Sequence, residues 1–158
     1  MGLLNAIGGR KVYLDSNIFV YTVEDVTPWA EQTVAVLEAV DHGELTAVTS
    51  ELSLAEALVK PFQLDHEEAI RAYRGIFQSR DSLTVVPITS EILLDAARLR
   101  GVWLRTAEDS RPKLPDAIHA ATARAESCEV LLTNDLRFQA FKEIETLFLR
   151  DFIDPDLT

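Results

Sequence analysis

Apolar positions along the chain switch between two spacings. Compact runs rich in apolar and β-branched residues, KVYLD (11–15), ELTAVTS (44–50), SLTVVPI (82–88) and EVLLT (129–133), read as strands, the last the most deeply buried. Between them apolar residues recur every three or four positions, the mark of a helix with one buried face. TPWAEQTVAVLEAVDHG (27–43) predicts a helix with Pro28 in its first turn and Gly43 as its stop. SELSLAEALVKP (50–61) predicts a helix ended by Pro61, and DHEEAIRAYRGIFQS (65–79) one opened by a capping box of Asp65 and Glu68. Further helices are predicted over 89–104, over 115–127 behind Pro115, and over 135–147. Residues 106–114 read as a polar loop and 147–152 as a last edge strand.

Strands alternating with helices imply an α/β fold with a mainly parallel sheet, because parallel neighbours need helical crossovers. Helices then cover both faces, and a site is expected outside the carboxyl ends of the strands. At 158 residues, 47% apolar and 26% charged, without repeats or long linkers, the chain reads as one ordinary domain. No apolar run approaches the roughly 20 residues of a membrane span. The opening MGLLNAIGGR has no charge before Arg10 and no long apolar core, unlike a secretion signal. The single cysteine, Cys128, has no internal partner, which suits a reducing cytoplasm.

The net charge of −11 disfavours a protein that wraps duplex DNA. It leaves either a solvated acidic surface or carboxylates grouped around divalent cations, whose charge a phosphodiester needs. The positions of the acids favour grouping. Asp15 ends the first strand, Asp135 follows the 129–133 strand, Asp116 opens a helix, and Glu56 lies six residues past Ser50 in the helix after the second strand. Asp116 and Asp135 also suit helix starts, where the dipole favours an acid by about 0.3–1 kcal/mol. Glu56 suits a capping box with Ser53, and neighbouring Glu51 is an alternative to it. Asp15 is hardest to explain structurally, since a charge at the end of an apolar strand is costly. Four converging acids repel one another unless a hard cation joins them, and such ions activate water and stabilise a leaving oxygen.

YLDSNIFVY, TSELSLAEAL, LPDAIHAATA and LLTNDLRF resemble, in order and spacing, the four motifs of PIN domains. The similarity is greatest to the compact toxins of VapBC-type toxin–antitoxin modules, and it spans about residues 11–150. The resemblance implies a three-layer α/β/α sandwich with about five mainly parallel strands over 11–152, leaving 1–10 as an extension and 153–158 as a tail. It implies a Mg²⁺- or Mn²⁺-dependent endoribonuclease, a homodimer, and a cognate antitoxin that inserts an arginine-bearing segment into the acidic pocket. Carried onto this chain, Asp15 and Asp116 are metal ligands, while Glu56 and Asp135 complete the set and polarise water. Ser16, Asn17 and Thr133 support the pocket through hydrogen bonds.

His119, three residues after Asp116, shares its helix face, yet a packed histidine is the commoner outcome. Cys128 reads as inert packing. Arg98, Arg100, Arg105, Arg111 and Lys113 make a basic stretch before Asp116, and Arg111 and Lys113 are candidate contacts for RNA phosphate. Trp29, Trp103 and Tyr21 could stack on bases, but core or dimer packing is the commoner fate of such residues. No zinc-protease, serine-hydrolase, P-loop or dinucleotide motif occurs. The competing class is a silent PIN-like module whose acidic pocket binds an arginine-bearing partner. A receiver-type phosphoacceptor lacks its adjacent acid pair and late lysine, and a haloacid-type phosphatase would need an acid where Asn17 stands.

Overall fold

Side chains of the first strand, β1 (Val12–Leu14), alternate between two cores: Val12 and Leu14 enter one, Tyr13 the other. The same division runs through β2 (Ala47–Ser50), β3 (Leu83–Val86) and β4 (Val130–Thr133), so the sheet is the middle of three layers. With β5 (Glu145–Phe148) the strands form one all-parallel sheet in the order β3-β2-β1-β4-β5. The computed structural model describes residues 1–106 and 112–153. One face carries α1 (Leu3–Ile7), α2 (Ser16–Val23), α3 (Ala30–Asp41), α4 (Glu51–Gln63) and α5 (Glu67–Ile76). The other carries α6 (Ser90–Thr106) and α7 (Leu114–Ala125). This is the expected α/β/α sandwich.

Local differences have local causes. The helix predicted over 50–61 runs through Pro61 to Gln63, because a proline in the last turn forfeits a single intrahelical bond. Asp65 lies outside α5 at φ +51°, and His66 caps the helix instead, its Nδ1 accepting the Ala69 N–H at 3.1 Å. Gly43, at φ +74°, follows α3 as the expected stop.

The largest correction concerns the C-terminal third. The helix expected over 135–147 is a single 3₁₀ turn, Leu136–Ala140, after which the chain enters β5. Phe138 and Phe141 both turn into the core beside α7. The edge strand therefore lies at 145–148, pairing Val130 with Glu145 through Thr133 with Phe148, and 149–152 form another 3₁₀ turn. Two helices were not expected: α2, and α1, which places Leu3 and Ile7 in the core.

Candidate active site

The chain winds from β1 outward through β2 and β3 on one side, and from β4 to β5 on the other. The winding reverses between β1 and β4, which opens a crevice at their carboxyl ends. Asp15 stands there, 4% exposed, as the N-cap of α2. A buried carboxylate needs donors, and the neighbouring polar residues supply them. The Ser16 backbone N–H donates to Oδ1 at 2.7 Å, while Thr133 Oγ1 and Asn17 Nδ2 donate to Oδ2 at 2.6 and 3.0 Å. Asn17 Nδ2 also reaches Thr133 Oγ1 at 3.2 Å, so the three supporting residues read from the sequence lock one carboxylate.

Asp116 and Asp135 both act as helix-start acids. Asp116 Oδ2 accepts the Lys113 N–H at 2.7 Å, and Asp135 Oδ1 accepts the Arg137 N–H at 2.9 Å. Arg137 joins the two. Its guanidinium forks onto both Asp135 oxygens, and its Nε lies 3.4 Å from Asp116 Oδ2. Burial pushes the Asp116 carboxyl above the usual range, and the charges on Asp135 and Asp15 add to that. The Lys113 N–H and Arg137 pull the other way. Burial also pushes Asp135 up, but the Arg137 hydrogen bonds and charge outweigh it and hold that carboxyl low.

Glu56 projects from α4 toward α7, where its Oε1 pairs with His119 Nε2. That nitrogen also lies 3.6 Å from Asp15 Oδ1. His119 is 1% exposed, and its Nδ1 meets the Tyr13 hydroxyl at 2.8 Å. Tyr13 in turn donates to Ser50 Oγ at 3.0 Å. Burial alone would lower the imidazole pKa; the Tyr13 oxygen, the Glu56 hydrogen bond and the Asp15 and Glu56 charges hold it well above its ordinary value. Ligand atoms of Asp15, Glu56 and His119 lie within 4.8 Å of one another, close enough to share one ion. Glu51, weighed as an alternative to Glu56, is exposed and outside that group.

The structure thus groups Asp15 and Glu56 around His119, joins Asp116 and Asp135 through Arg137 beside them, and adds three residues to those expected. His119 reads from the sequence as packing, and Tyr13 and Arg137 carry no site signal there. The pattern that marks Arg137 is its position two residues past Asp135, near enough to fold back on that carboxylate. Lys113 is exposed at the start of α7; Arg111 lies outside the described residues. Trp103 packs against Phe141 in the core, and Trp29 stacks on Tyr21. Cys128 is buried, its thiol pushed up to about 12 by burial, as inert packing requires.

The same architecture recurs in solved structures. VapBC2 from Rickettsia felis, bound to a fragment of its promoter DNA, superposes with a TM-score of 0.66 at 19% identity, covering 87% of this chain and 98% of that one. DNA-bound VapBC from Salmonella typhimurium gives 0.66 at 18% identity, covering 89% and 98%. Mycobacterium tuberculosis VapC20, a sarcin–ricin loop cleaving toxin, gives 0.64 at 17% identity, covering 85% and 98%. No curated protein matches the sequence. Identities this low carry the fold alone. The PIN domain description, however, matches residues 12–144, most of the chain and all four acidic segments, and so the chain belongs to the PIN domain family.

Proposed function

We propose that the chain is a metal-dependent endoribonuclease, acting as the toxin of a type II toxin–antitoxin pair. The observation that supports this reading is that Asp15 and Glu56 share one group of ligand atoms at the switch point of the sheet, with Asp116 near enough for the charges of Asp15 and Asp135 to raise its carboxyl. A hollow of that sign repels RNA phosphate until a cation enters it. The donor set fits a hard divalent ion, with Asp15 and Asp116 as ligands and Glu56 and Asp135 completing or supporting the set. Mg²⁺ or Mn²⁺ held there supplies positive charge to the phosphodiester and acidifies the attacking water. Ser16, Asn17 and Thr133 fix the orientation of Asp15 by hydrogen bonding. Lys113, with Arg111, would meet RNA phosphates outside the pocket.

Partners follow from the same reading. The pocket would take an arginine from a cognate antitoxin, much as it takes Arg137. Leu93, Leu94, Val102 and Leu104, exposed on α6, offer apolar surface for a homodimer. A cytoplasmic location accompanies this function; no described helix is long and apolar enough to cross a membrane.

The test is cleavage of a mixed small-RNA pool with Mg²⁺ or Mn²⁺ and with EDTA, for wild type and Asp15→Asn. Metal-dependent cutting abolished by the substitution supports the nuclease; cutting unchanged by it sinks the mechanism. One observation favours a second reading, a silent module that binds an arginine-bearing partner: Arg137 already forks onto Asp135. Partner binding without any metal-dependent turnover would establish that reading.

A further inference from the structure

His119 has no task in the proposed nuclease mechanism, although it is among the most deeply buried polar groups of the site. Its two nitrogens face different chemistry. Nδ1 meets the Tyr13 hydroxyl, and that hydroxyl donates its own hydrogen to Ser50 Oγ. With its hydrogen on Ser50 Oγ, Tyr13 offers Nδ1 a lone pair, an arrangement in which Nδ1 carries the ring hydrogen and Nε2 is the basic nitrogen. Nε2 faces Glu56 Oε1 and, at 3.6 Å, Asp15 Oδ1. A nitrogen lone pair turned toward two carboxylates is repelled unless a cation lies between them.

We propose that His119 Nε2, together with Asp15 and Glu56, ligates the bound divalent ion and tilts the site away from Mg²⁺ toward first-row transition ions. This inference rests on the metal-nuclease reading and adds a nitrogen ligand to it. The Ser50–Tyr13–His119 chain has the form expected behind a metal-bound imidazole, whose other N–H is held by a fixed acceptor that sets tautomer and ring orientation. Mg²⁺ demands oxygen ligands, whereas an imidazole nitrogen favours transition ions. The ligand atoms of the three residues already lie within 4.8 Å of one another. Glu56, whose side chain is 37% exposed, has room to shift from a hydrogen bond to His119 onto a shared ion.

Mn²⁺ alone, added to the full chain, is the probe. Bound Mn²⁺ is followed by continuous-wave EPR, its displacement by titrated Mg²⁺, and its ligands by electron spin-echo envelope modulation, which detects a directly coordinated nitrogen. Wild type should show nitrogen modulation. His119→Gln, which puts an oxygen near the Nε2 position, should lose it and need roughly tenfold less Mg²⁺ to displace Mn²⁺. Tyr13→Phe should keep the modulation but bind Mn²⁺ roughly tenfold more weakly. If His119→Gln fails to fold by circular dichroism, the wild-type spectrum decides alone. Bound Mn²⁺ without coordinated nitrogen overturns the inference and leaves the metal-nuclease reading standing. No Mn²⁺ binding by wild type at millimolar concentration overturns both.

Discussion

The acidic crevice has two sides, and they are stabilised differently. On one, Asp15 and Glu56 face His119, which is locked in the core by Tyr13 and Ser50. On the other, Asp116 and Asp135 face Arg137, tethered to a 3₁₀ turn with its side chain 35% exposed. Each side answers its carboxylate repulsion with a positive or proton-bearing group of its own. One such group is part of the packed interior and the other part of the surface. A buried partner is committed to its geometry, whereas an exposed guanidinium can leave when an ion, a phosphate or another arginine arrives.

Substitutions should break the two sides unequally. The largest effect is on turnover: Asp116→Asn should lower metal-dependent RNA cleavage on the order of 10³-fold, about 4 kcal/mol of transition-state stabilisation. A residual rate within tenfold of wild type would place the reacting centre elsewhere. Next, His119→Ala should cost about 3 kcal/mol in urea unfolding with EDTA, since it opens a cavity and leaves Tyr13 short of a partner. Arg137→Ala under the same conditions should cost less than about 1 kcal/mol, because its ion pairs are partly solvated. Equal costs would erase the contrast between buried and surface partners.

The smallest effect is a pH dependence of the metal-free protein. Arg137 holds the Asp135 carboxyl below its ordinary value against the upward push of burial. The stability this contributes is present above the unfolded carboxylate pKa of about 4 and is lost as pH falls through the lowered folded value. Arg137→Ala should therefore flatten the acid limb of a plot of stability against pH. An unchanged limb would mean that the fork contributes nothing to folding.

Much of this was legible in the sequence, and the exceptions share a cause. The strands β1 to β4 and most helices announce themselves through spacing, and the four acids through their places at strand ends and helix starts. These are local signals. Tyr13, His119 and Arg137 acquire their roles only when distant segments meet: Tyr13 reaches His119 across 106 positions, and Glu56 reaches it across 63. Residues 135–147 mislead because KEIET has helix-favouring composition, while the burial of Phe138 and Phe141 and pairing with β4 draw the segment into a turn and an edge strand. An edge strand with half-buried, mixed residues lacks the apolar alternation that marks its central neighbours.

The central claim is that the two sides form one catalytic unit, and a double-mutant cycle on RNA cleavage in Mn²⁺ tests it most directly. Glu56→Gln and Asp135→Asn, one from each side, would be measured singly and together. A single unit predicts that the double variant is hardly slower than the worse single one, since groups acting together are lost together. Losses that multiply independently would contradict the claim and leave two neighbouring acidic clusters, with only one of them at the reaction.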